Sequence, residues 1–174
     1  MILNSDLMLF HPLWEKADSE LCNSNELGIF NRLVDVYVLA CAIGIKEDKT
    51  ITEIEYPLEK EKSIGRNTHR QNSDLSDMLD FMLQNALINS KTINLDMDER
   101  LKLAFNPDYN IPKLSAANFL TGFANYGIEK IFESIDSKSS LVAVSELYKF
   151  FESLAESKYD EILKNITLEE LKNI

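Results

Sequence analysis

Ile29-Phe-Asn-Arg-Leu-Val-Asp-Val-Tyr-Val-Leu-Ala-Cys-Ala-Ile-Gly-Ile45 decides the fold of this chain. From Leu33 onward it is apolar nearly all round, the mark of a helix enclosed by neighbours on most sides. Its β-branched residues also suit a buried strand, but seventeen residues exceed an ordinary strand, so the stretch predicts a helix. Gly44 stands near its end, where a left-handed helix-terminating residue is favoured. Asp35 lies between Val34 and Val36 and reads as a carboxylate in apolar surroundings, which needs a partner. Arg32, three residues earlier, can reach it on the same helix face.

Working outward, Leu75, Met78, Leu79, Met82, Leu83, Ala86 and Leu87 recur at helical spacing, with Asn72 or Ser73 available as a cap. A shorter helix is predicted over 97–105, with Asp96 and Glu99 spaced as a capping pair and Asn106-Pro107-Asp108 ending it. From about Lys113 to Ile135 the period is helical again. There Gly122 and Gly127, with Ala116, Ala117 and Ala124, offer close approach to another element, or a break near Tyr126-Gly127. Acidic helices are expected over about 139–174. Thr50 to Pro57 alternates like a short edge strand, and Lys91-Thr-Ile-Asn-Leu95 is a candidate partner for it. Residues 60–72 read as an irregular loop. The fold expected is mainly α: one compact helical domain over 1–174 around a buried helix at about 29–45, with at most a small two-stranded sheet.

The chain has 174 residues, with 29 acids against 18 bases and a net charge of −11. That balance disfavours a broad phosphate-binding surface. The charge is unevenly placed. Residues 1–45 carry a net −4, 46–71 are neutral and 72–174 carry −7, while Lys62 to Ser73 contains no acid and holds two of the four arginines. Lys62, Arg66, His69 and Arg70 therefore form the candidate contact set, for a phosphate or an acidic protein surface. A plain surface loop is the competing reading. The single Gly65 with no Walker-type lysine does not indicate a nucleotide site.

No catalytic constellation is apparent. His11, Cys22, Cys41 and His69 have the ligand types for zinc without a recognised spacing, and nothing brings a thiol to an imidazole. Asp74, Asp77, Asp80, Asp96, Asp98 and Glu99 read as helix-starting acids rather than a calcium loop. No metal or cofactor is expected. The N-terminus lacks a basic signal region, and the longest apolar run, Val36 to Ile45, is ten residues against the ~20 needed to span a bilayer. The expected setting is therefore a reducing cytoplasm with free thiols and no membrane contact.

Two stretches resemble small accessory proteins associated with Dnd DNA-phosphorothioation and related bacterial phage-defence clusters. One runs from Leu27 to Lys46, matching at Phe30, Asp35, Ala40, Ala42, Gly44 and Lys46; the other is Phe123 to Ile131, matching at Phe123, Ala124, Asn125, Gly127 and Glu129. The resemblance implies a setting in anti-phage defence and brings no catalytic residues. It also implies helix packing at Ala124 and Gly127 and a buried hydrogen bond from Asn125. The function expected is a non-catalytic accessory or adaptor that binds another protein, with nucleic acid at most a local contact and a homo-oligomer left open. The alternatives are an acidic inhibitor or immunity protein blocking a nuclease or toxin, and an enzyme using the basic segment.

Overall fold

A computed structural model describes residues 3, 5–22, 29–52, 62–106, 108–109, 111, 114–135, 142 and 144–153. In chain order the elements are β1 (Leu7–Leu9), α1 (Leu13–Lys16, continued by a π-helical turn over Ala17–Leu21), α2 (Leu33–Glu47) and β2 (Lys62–Ile64). Then follow α3 (Arg66–Arg70), α4 (Ser73–Asn89), α5 (Met97–Phe105) and α6 (Ala116–Ile135), and residues 144–153 are also helical. The protein is mainly α with one small antiparallel sheet. It divides into two compact units, 1–131 and 132–174, where the sequence showed no boundary. Of the acidic helices predicted over about 139–174, residues 139–141, 143 and 154–174 lie outside the described residues.

The buried helix is present as α2, which puts Val34, Val36, Tyr37, Ala40, Cys41 and Ile43 in the core. It does not end at Gly44. Asp48 takes the left-handed conformation at φ 52°, its N–H donates to the Ile45 carbonyl, and Lys49 N–H donates to the Gly44 carbonyl. This pair of reversed hydrogen bonds closes the last turn with aspartate where glycine is usual. The Asp48 carboxylate accepts from the Ser90 hydroxyl and from Lys91 N–H, tying the end of α2 to the end of α4. Asp48→Ala should cost about 1–3 kcal/mol, and Asp48→Gly roughly 1 kcal/mol less because glycine carries no left-handed penalty. Urea titration of both variants checks the order.

Gly44 serves the packing of α2 on α6. A Cβ built on Gly44 would stand 2.2 Å from the Phe123 carbonyl oxygen, and one on Gly127 would stand 1.9 Å from that of Ala40. Each helix thus presents a glycine to the other's backbone. α6 runs unbroken through Tyr126-Gly127, so the predicted alternative of a break is not what happens. Around this contact Tyr37 Oη and Thr121 Oγ1 share a hydrogen bond at 3.1 Å, and the Trp14 and Tyr37 rings lie 5.8 Å apart.

α4 and α5 form as their spacing predicts. The Asn72 side chain accepts from Leu75 N–H at 3.1 Å, and the Asp96 carboxylate accepts from Glu99 N–H at 2.8 Å. The sheet is a correction. It pairs Leu7 with Ile64 and Leu9 with Lys62, not 50–57 with 91–95. Residues 91–95 form no strand because the Arg100 guanidinium gathers the carbonyls of Ser90, Ile93 and Leu95 at 2.6–2.9 Å. In the described part of the other candidate, α6 takes up the backbone of Ile51: its N–H donates to the Gly122 carbonyl, and its carbonyl accepts from Asn125 Nδ2. Residues 53–57 lie outside the described residues.

Candidate functional site

The segment predicted as an irregular basic loop is, from Lys62 on, strand β2 followed by helix α3. Strand pairing with β1 organises its first half. The second half is started by Asp6, whose Oδ1 accepts from Arg66 N–H at 2.6 Å across sixty residues of sequence. The fold distributes the four basic candidates unequally. Lys62 Nζ is held by the Asp18 carboxylate. His69 is fully buried; its Nε2 faces the Ser5 carbonyl at 3.3 Å and its Nδ1 has no hydrogen-bond partner among the described residues. Arg66 is exposed and lines an open depression of about 490 Å³ with Ser5, Asp6, Gly65 and Asn67. Arg70 lies in α3, but its side chain falls outside the described residues. The depression already carries the Asp6 carboxylate, so it is not purely cationic. Arg66→Ala should therefore leave stability within about 0.5 kcal/mol, as for an ordinary surface substitution, checked by thermal unfolding.

Asp35 is paired as expected and placed differently. Arg32 Nη2 lies 2.7 Å from its Oδ1 in the first turn of α2, with the Asp35 side chain 31% exposed. This is a half-exposed surface pair at a helix start, which needs no functional explanation. Asn125 is buried, and both ends of its amide are used: Oδ1 accepts from the Trp14 indole N–H at 2.9 Å while Nδ2 donates to the Ile51 carbonyl at 3.1 Å. Its geometry makes it a structural clasp between three segments.

Both cysteines are buried and free. Burial, reinforced by Asp18 and Asp35, pushes the Cys22 thiol up to about 11, and burial also pushes Cys41 well above the usual thiol range. Such thiols stay protonated and inert. Both folded values exceed the unfolded ones, so the stability the protonated thiols carry is intact below about pH 9 and is lost as pH rises, through about 11 for Cys22 and higher still for Cys41. Native protein should accordingly resist a thiol reagent at pH 8 and expose two reactive thiols in denaturant. His11 is likewise engaged, with Nε2 3.0 Å from Glu129 Oε1 and Nδ1 accepting from Leu13 N–H at 3.2 Å. Among the described residues, no group of three or more His, Cys, Asp or Glu is arranged to hold a metal ion.

One polar cluster escaped the sequence. The Tyr126 hydroxyl donates to Glu47 Oε2, Lys49 Nζ donates to the same hydroxyl at 3.2 Å, and Lys49 and Lys130 lie 5.3 and 5.5 Å from the ring centre. The tyrosine hydrogen bond holds the Glu47 carboxyl below its usual range, while burial and that same bond raise the Tyr126 phenol. A phenol stabilised in its protonated form is not an activated nucleophile or base. The cluster joins α2 to α6, and its members lie too far apart in sequence for a motif.

The remaining conspicuous surface is apolar. Met97, Leu101 and Phe105 are 53%, 40% and 61% exposed, and they recur every four residues along α5. On the neighbouring α4, Met78 and Phe81 are also exposed. No protein-family profile, curated protein or solved structure matches the chain.

No helix among the described residues is long and apolar enough to cross a membrane. Lys62 and His69 do not form one open basic patch with Arg66.

Proposed function

We propose that this chain is a non-catalytic accessory subunit that binds another protein, working in the cytoplasm within a bacterial anti-phage defence system. The observation that supports it is the row Met97, Leu101 and Phe105, three large apolar side chains left in solvent on one face of α5. Aromatic and methionine side chains exposed in this way are the usual anchors of protein interfaces. The defence setting rests on the sequence resemblance at Leu27 to Lys46 and Phe123 to Ile131 alone.

Affinity purification of the tagged full chain from its native cells, followed by mass spectrometry, tests the reading. A stoichiometric protein partner is expected; a chain that elutes alone with no enriched partner would reject it.

A second reading, an acidic inhibitor of a nuclease or toxin, draws on the net charge of −11. It predicts binding that weakens steeply with salt, since exposed charges are screened over about 8 Å at physiological ionic strength. A complex with a basic nuclease that survives unchanged in 1 M salt would count against it.

A further inference from the structure

We draw no further inference here: the strongest candidate, the apolar row Met97, Leu101 and Phe105 on the exposed face of α5, has Asp98 and Lys102 beside it in a helix of balanced charge, and nothing in the structure shows what covers it.

Discussion

Gly127→Ala should destabilise the protein by about 3 kcal/mol or more, or prevent folding, although alanine is the better helix former by roughly 1 kcal/mol. The added Cβ would lie 1.9 Å from the Ala40 carbonyl oxygen, with the carbonyl carbon at 2.6 Å. Those are backbone atoms of a buried helix, so relief requires α2 and α6 to separate and lose their shared core. Gly44→Ala should behave alike, with its Cβ 2.2 Å from the Phe123 oxygen. Gly122→Ala is the control. Its Cβ would meet the Thr52 methyl at 3.2 Å, a side-chain atom that can move, so helix propensity and mild crowding should cancel to within about 1 kcal/mol. Urea denaturation of the three variants measures the contrast. A Gly127→Ala protein as stable as the parent would mean that the two helices do not approach in this way.

Asn125→Leu should cost about 2–5 kcal/mol, since it strands the Trp14 indole N–H and removes the donor to the Ile51 carbonyl inside the core. Trp14 is the single tryptophan, so its emission reports directly on this site. The intact protein should emit at short wavelength from a fully buried indole, and the variant should lose that emission at lower denaturant concentration. Trp14→Phe leaves Asn125 Oδ1 without its donor, and the double variant Trp14→Phe with Asn125→Leu should be less destabilised than the sum of the singles. A coupling of about 0.5–3 kcal/mol, followed by circular dichroism, is expected for groups in direct contact. Strict additivity would show that the 2.9 Å hydrogen bond contributes nothing to stability.

The acid limb of stability has its own sign. Glu47 is held below the usual carboxylate range chiefly by the Tyr126 hydroxyl, and Asp48 chiefly by the Ser90 hydroxyl. Folded carboxyls with depressed values stabilise above their unfolded range, and that contribution is lost as pH falls through the folded values. Tyr126→Phe should flatten this acid limb, and pH-dependent thermal unfolding would register it.

The helices and two of their caps were legible because their signals act within a single turn. Asn72 and Asp96 each bond an N–H three residues on, and the periodic leucines of α4 need only one apolar neighbour to face. The basic segment was legible as a composition and not as a site. Whether Lys62 is free depends on Asp18, forty-four residues away, and whether His69 reaches solvent depends on Ser5, sixty-four away. Asp35 was misjudged for a related reason: its sequence neighbours Val34 and Val36 point to other sides of the helix, so they say nothing of what surrounds its carboxylate.

The amino-acid order alone determined that the chain is mainly helical, that α2 is the enclosed element, and that the glycines of α6 favour close approach. The tertiary structure alone decided which strands pair, that Gly44 packs on α6 while Asp48 ends α2, and which basic groups remain open. The division is physical. Helix periodicity and capping are satisfied by residues one turn apart, whereas a strand's hydrogen bonds, a buried amide's partners and a lysine's counter-ion are supplied by whichever distant segment folding brings alongside.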